Sequence, residues 1–294
     1  MHAYVQRDRE TEISKYSPSP AHHRGAMNSF HLCKSSFSRR QSQYSSNLAP
    51  LFHISTVQYG YSRPFSRQFA KMAHSKDPIV RALQNYTTCD VSDALCKLKY
   101  RNGGFLSGLT MWSPLRQDGD TKIVGPAYTV KYVPLDDPAP KHSTHYIDHV
   151  PEGAVVFVSC PPKTPNAVYG GLMSTRAQAL GAVGSIIDGR FRDVQEQRDL
   201  AYPVFARDVG TAPPAELLKV VAVNVPVKLQ TDEQDMEIRP GDYLIADING
   251  VVVLPSELAE KALPLMQKQV EADEKMAVEI KKGMSFVEAS KKFR

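Results

Sequence analysis

The apolar positions of the chain change their period several times, and each change marks an element. Asp77-Pro78 reads as a helix opening, a capping carboxylate followed by proline at the first helical position. Ile79 and Leu83, then Val91, Leu95 and Leu98, recur at helical spacing and predict two short helices ending near Lys99. Asn102-Gly103-Gly104 breaks them. Lys122 to Val133 is rich in β-branched and aromatic residues and predicts a strand. Ala139 to Val150 suits a short helix before the turn Pro151-Glu152-Gly153. Ala154 to Ser159 is an unbroken apolar run, the pattern of a strand buried on both faces. A loop from Cys160 to Tyr169 leads to Gly170-Gly171. Leu172 to Leu180 is predicted helical, with Leu172, Met173, Ala177 and Leu180 on one face and Gly181 closing it. Gly184 to Asp188 is the next buried strand, running into Gly189-Arg190-Phe191-Arg192-Asp193. Strand, helix and strand in so short a stretch form a βαβ unit, with parallel strands and a right-handed crossover.

Val204 to Ala206 and Val220 to Leu229 predict further strands. Tyr243 to Asp247 and Val251 to Leu254 flank Asn249-Gly250, a hairpin signal. From Ser256 onward the pattern is helical, with charge pairs four residues apart. The fold class is α/β, with parallel and antiparallel pairing mixed in one sheet around the central βαβ unit.

Composition then narrows the classes. With 42% hydrophobic and 23% charged residues the chain is neither disordered throughout nor a membrane protein, and no apolar run nears the length of a spanning helix. Four cysteines, Cys33, Cys89, Cys96 and Cys160, are too scattered for a disulfide scaffold or zinc knuckle and fit a reducing compartment. The net charge of +5 is unevenly placed. Residues 1–76 carry 11 Lys+Arg against 3 Asp+Glu, whereas residues 77–294 carry 25 against 28. The basic excess is therefore no nucleic-acid footprint on the folded part.

From Ile13 to Lys76 there is no acidic residue, but there are nine Lys/Arg and fourteen Ser. This acid-free, Arg- and Ser-rich character, clearest from Met27 to Arg40, is that of a mitochondrial transit segment. Residues 1–76 are expected to be a disordered or targeting segment and 77–294 the folded domain with its helical tail. Translation from Met72 would instead leave the protein cytoplasmic.

In a parallel βαβ unit the helix N-terminus and the loop after the second strand meet at the carboxyl edge of the sheet, where ligands bind. The amides of Gly170, Gly171, Leu172 and Met173 should there face the loop carrying Arg192 and Asp193. Free N–H groups at the positive helix end form an anion site. Arg192 adds a bidentate carboxylate or phosphate ligand, and Asp193 a hard oxygen donor suited to Mg²⁺. A Gly-Gly pair also serves as a plain tight turn, and an Arg-Asp neighbour pair as a surface ion pair. His142, His145 and His149, with Asp148, have spacing that zinc sites use but read as a solvated helix face. Gly181-Ala-Val-Gly184 follows a helix rather than opening one, so it is no dinucleotide fingerprint. Trp112 falls in a polar stretch read as a loop.

The run from Gly170 to Asp193 resembles the signature of the RraA-like family, whose enzyme branch comprises the 4-hydroxy-4-methyl-2-oxoglutarate and 4-carboxy-4-hydroxy-2-oxoadipate aldolases. Val91-Ser-Asp-Ala-Leu95, Gly125-Pro-Ala127 and Gly241 to Pro255 are similar to further family blocks, in the expected order, over roughly residues 78–280. The resemblance implies a swivelling β/β/α fold, a homotrimer or hexamer, and sites at subunit boundaries. It implies that Gly170 to Met173 and Arg192 bind substrate and that Asp193 holds a divalent metal, Mg²⁺ or Mn²⁺. Many members carry an acidic residue where this chain has Gly171. That carboxylate's task would fall to Asp188 or to a neighbouring subunit.

The expected function is thus a metal-dependent lyase acting on 2-oxo acids. Cleaving the C3–C4 bond, by retro-aldol reaction or by loss of CO₂ from oxaloacetate, leaves pyruvate enolate, whose charge a metal and Arg192 would stabilise. The expected partner is a small 2-oxo acid, with neither nucleic acid nor membrane involved. The rival expectation is a non-catalytic RraA-type regulator binding RNA-processing proteins.

Overall fold

The computed structural model describes residues 75–294. The segment read as an address lies outside the described residues, apart from Ser75 and Lys76. Helix α1 (Pro78–Leu83) opens as the sequence suggests, the Asp77 carboxylate accepting from the amides of Ile79 and Val80. Helix α2 (Thr88–Lys97) begins with a capping box between Thr87 and Asp90. Positive φ at Asn102, Gly103 and Gly104 then turns the chain into the sheet.

The strands are β1 (Phe105–Leu106), β2 (Thr110–Ser113), β3 (Ile123–Pro134), β4 (Val155–Ser159), β5 (Ala167–Tyr169), β6 (Gly184–Phe191), β7 (Val204–Val209), β8 (Leu218–Val223), β9 (Val227–Lys228), β10 (Glu237–Ile238), β11 (Tyr243–Asp247) and β12 (Gly250–Leu254). Helix α3 (Gly171–Ala179) crosses between β5 and β6, α4 (Val194–Asp199) follows β6, and α5 (Ala259–Lys281) and α6 (Phe286–Phe293) form the tail. The main sheet runs β1-β12-β11-β3-β4-β6-β7-β2, with β5 on β6 and β8 on β3. Strand β3 joins its halves: Ile123 to Pro126 pair antiparallel with β11, and Ala127 to Lys131 pair parallel with β4. The β4–β6 and β6–β7 pairs are parallel, as a βαβ unit demands, while the β11–β12 hairpin is antiparallel. The sheet is mixed.

The apolar run of β4 is buried at every position, and its alternation serves two cores. Val156 and Val158 pack on one face with Tyr128, Tyr146 and Phe191. Val155 and Phe157 pack on the other with Ile186, Phe205 and Leu244. A third cluster seats α1, α2 and α5 on Ile245, Val252 and Leu254.

Three local expectations are corrected. Residues 139–150 form only one short 3₁₀ turn, Tyr146–His149, because Pro138 and Pro140 interrupt the segment and the His142 amide bonds to the Val220 carbonyl. Trp112 is no loop residue: it is buried in β2, donates its indole N–H to the Ala206 carbonyl at 3.1 Å, and lies under the Arg116 guanidinium. Leu172 does not join the buried face of α3 but is three-quarters exposed.

Candidate active site

Strands β5 and β6 are parallel neighbours, with Ala167 opposite Arg190 and Tyr169 opposite Phe191. The Arg192 amide extends this ladder, donating to the Tyr169 carbonyl at 2.9 Å. Pairing therefore delivers Gly170 and Arg192 side by side, each one residue past its strand. Directly after Arg192, Asp193 adopts a left-handed conformation (φ 62°, ψ 45°) at the start of α4. That conformation is uncommon outside glycine, and in this fold it turns the Asp193 carboxylate back across the mouth of α3. The Gly171 amide donates to Asp193 Oδ2 at 3.0 Å, and Arg192 Nε lies 3.4 Å from the same oxygen.

The expected cradle of four free amides is thus partly filled by the chain itself. Asp193 takes the Gly171 amide, and the Met173 amide donates to the Gly170 carbonyl at 3.0 Å. The amides of Gly170 and Leu172 have no partner among the described residues. Glycine at 170 has a steric reason, since a Cβ there would sit 2.7 Å from Asp193 Oδ2.

Glycine at 171 has a reason with chemical content. A Cβ on Gly171 would overlap the carboxylate of Glu196, which occupies the space over the helix end. Glu196 thus puts a second carboxylate beside Asp193 where residue 171 offers no side chain. The sequence held a signal for it, since Glu196 falls in the first turn of the short helix that Asp193 leads into.

Asp188 is not that second carboxylate. It is fully buried, accepting from Arg207 Nε at 2.5 Å and from the Gln230 amide at 2.6 Å. Burial raises its carboxyl above the ordinary carboxylate range, against the opposing pull of Arg207 and the Gln230 amide. The histidines do not converge either: His145 stacks on Tyr146, and His149 bonds to Thr144. Among the described residues no group of three or more His, Cys, Asp or Glu side chains is arranged for a metal. The donor set at α3 is therefore two carboxylates, enough for Mg²⁺ or Mn²⁺, which retain much of their water, but not for a closed zinc cage.

Behind the site, Tyr169 and Tyr202 are buried hydroxyls linked through Ser185 at 2.8 and 3.1 Å, and Ser174 of α3 donates to Tyr169 at 3.3 Å. This chain ties α3 to β5 and β6. Burial raises the Tyr169 phenol to about 12. In front, an open pocket of about 630 Å³ is lined by Arg190, Arg192, Asp193, Asn166, Gly210 and Thr211, among others.

A family model described as RraA-like, Aldolase/RraA, matches residues 88–253. Among curated proteins, DlpA of Legionella pneumophila is 29% identical over 63% of this chain, a match spanning only 29% of DlpA's own length. A Halalkalibacterium halodurans protein, provisionally named a 4-hydroxy-4-methyl-2-oxoglutarate aldolase, is 28% identical over 64% of this chain and 81% of its own. A Thermus thermophilus protein bearing that aldolase name outright is 30% identical over 35% of this chain and 60% of its own. Among solved structures, an uncharacterized Pseudomonas syringae protein superposes with TM-score 0.62 at 29% identity, covering 72% of this chain and 96% of its own. Streptomyces coelicolor RraAS2, from the RNase ES inhibitor RraA family, shares the fold with TM-score 0.58 at 24% identity over 71% of this chain and 98% of its own.

Proposed function

Because the chain belongs to the RraA-like family, we propose that it is a carbon–carbon lyase that releases pyruvate from 2-oxo acids. The substrates would be 4-hydroxy-4-methyl-2-oxoglutarate-type aldols and oxaloacetate. One observation carries the reading: Arg192, Asp193 and Glu196 gather over the Gly170-Gly171 helix opening. A regulator that only docks on a protein has no use for two carboxylates and a guanidinium at an anion-binding helix end. Relatives bearing the aldolase name support the same side.

The unpartnered amides of Gly170 and Leu172 would hold the substrate's C1 carboxylate. That group gains no charge in the reaction, so these contacts position it. Arg192, a fixed fork, would face the 2-oxo oxygen, where charge grows as the C3–C4 bond breaks. In aldol cleavage Glu196 would accept the C4 hydroxyl proton while the bonding pair moves into the C2–C3 enolate. The C4 fragment leaves as a ketone, and protonation of C3 completes pyruvate. In decarboxylation the same enolate forms as CO₂ departs, with no hydroxyl proton to remove. Asp193 is the residue that would hold a divalent ion, leaving Glu196 free as the base, and the ion supplies Lewis-acid polarisation of the 2-oxo group when bound.

The test is pyruvate release by the purified full-length chain, with Mg²⁺ or Mn²⁺ and each substrate. EDTA should abolish both activities, and borohydride should not inactivate, since no Schiff base is involved. Arg192→Lys should lose about 10²-fold in kcat, because an ammonium does not reproduce the fork. If no metal supports pyruvate release, the regulator reading takes its place.

The family resemblance supports an assembly whose sites lie at subunit boundaries. We infer a homotrimer or hexamer, and light scattering that finds a fully active monomer would contradict it. The acid-free N-terminal segment supports mitochondrial import, and a fusion of residues 27–76 to a fluorescent reporter that stays cytosolic would refute that.

A further inference from the structure

The pocket beside Asp193 holds a second guanidinium that the proposed chemistry leaves unused. Arg190 and Arg192 stand two residues apart at the end of β6, about 7 Å along an extended chain, and both line the pocket. Arg190 is not free to wander. Its Nη1 donates to Asp208 Oδ2 at 2.5 Å on the neighbouring strand β7 and to the Val209 carbonyl at 2.7 Å. Asp208 is fixed in turn, accepting from the Val209 amide at 2.8 Å. One nitrogen of the fork is therefore pinned, while Nε and Nη2 have no partner among the described residues. The floor next to it is tight: a Cβ on Gly210 would lie 3.5 Å from Arg190 Cβ and 3.2 Å from the Pro165 carbonyl. The same wall carries Asn166, whose amide nitrogen is engaged with the Pro213 carbonyl, and Thr211.

We propose that Arg190 reads a second carboxylate, making the site selective for dicarboxylic 2-oxo acids whose distal carboxylate lies a few carbons from the 2-oxo group. The inference rests on the reading of the site as one for 2-oxo acids, and it adds the residue that sets which ones. A guanidinium already held by Asp208 loses little freedom when it binds an anion, so its open edge forms charge-assisted bonds at low entropic cost. With Arg192 facing the 2-oxo oxygen, Arg190 stands in the same pocket where the distal carboxylate of a five-carbon dicarboxylate would lie. A monocarboxylate of the same length engages only the Arg192 end.

The experiment is calorimetry on the full-length protein with Mg²⁺, comparing 2-oxoglutarate with 2-oxopentanoate. The two share a five-carbon chain and differ in the distal carboxylate, and neither carries a bond that the lyase breaks. The wild type should bind 2-oxoglutarate at least about tenfold more tightly, the gain of one well-placed ionic hydrogen-bond pair. Arg190→Gln should bind both ligands alike, at the wild-type affinity for 2-oxopentanoate, whereas Arg192→Gln should weaken both. Arg190→Lys keeps a cation for Asp208 to hold, serves if the glutamine variant does not fold, and should cut the preference several-fold. Equal wild-type affinities, no binding of either ligand, or a preference that survives in both Arg190 variants would overturn the assignment. A protein that releases no pyruvate yet shows the Arg190-dependent preference would refute the lyase and leave the subsite standing.

Discussion

Two aspartates five residues apart on one strand-and-loop show how burial sorts carboxylates into structure and chemistry. Asp188 is enclosed in β6, and its two oxygens are spent on Arg207 and the Gln230 amide. Asp193 stands past the strand end, about one-third exposed, in a left-handed conformation, with one backbone amide and Arg192 as its described partners. The first, fully buried with a hydrogen bond on each oxygen, has no exposed acceptor to offer a ligand. The second has, and its backbone conformation is what holds it over the mouth of α3. Desolvation with full satisfaction makes a strut, whereas partial exposure with spare acceptor capacity makes a ligand.

The largest effect in this comparison should come from the strut. Asp188→Ala would strand the Arg207 guanidinium, whose Nη2 already lacks a partner in its buried position. Breaking such a pair from one side costs about 3–5 kcal/mol, and chemical denaturation should show that loss or an unfolded protein. A loss below about 1 kcal/mol would mean that Asp188 is not the strut its contacts suggest.

Asp193→Asn should behave in the opposite way. The amide oxygen can still accept from Gly171, so stability should change by no more than about 1 kcal/mol. Turnover should fall about 10²-fold or more, since an amide is a poor ligand for a hard cation and a neutral neighbour for Arg192. Comparable turnover in variant and wild type would remove Asp193 from the chemistry. If the two variants exchanged these effects, the division between strut and ligand would be reversed.

The parts of this molecule that could be read from the sequence are those where one local signal has one structural outcome. The unbroken apolar run at 154–159 is a strand buried on both faces, and the hairpin signalled by Asn249-Gly250 forms, with its turn on Ile248-Asn249 and Gly250 already paired to Asp247. The βαβ order fixes which loop faces which helix end, which is why Gly170, Gly171, Arg192 and Asp193 could be placed together. Other features depended on contacts between distant residues. The short β5 exists because Ala167 and Tyr169 find β6, and three residues carry too little pattern to announce that. The left-handed turn at Asp193, which blocks one expected free amide, has no sequence mark. The three histidines kept a helical spacing without a helix, because prolines upstream and the His142–Val220 bond draw that segment along β8 instead. Glu196 was written in the sequence three residues after Asp193. Its approach to Gly171 follows from how α4 packs at the end of α3, and composition is silent on that.

Gly171 yields the smallest and most discriminating prediction. Its φ is not in the left-handed region, so alanine there carries no backbone strain, and glycine-to-alanine at an early helical position ordinarily adds about 0.5–1 kcal/mol of stability. The added methyl would nevertheless occupy the Glu196 carboxylate's place and lie 3.0 Å from Glu196 Cβ, so the carboxylate swings aside and the Cβ gives slightly. Gly171→Ala should therefore be at least as stable as wild type in thermal unfolding while losing about 10²-fold in kcat, the lower end of the scale expected when a positioned proton acceptor is displaced. Glu196→Gln should show a similar loss without the stability gain. In the double variant Gly171→Asp with Glu196→Gln, a carboxylate returns from the α3 side, and activity should recover above either single variant. If Gly171→Ala is fully active, the crowding at the helix opening is only packing, and Glu196 belongs with Asp188 among the struts.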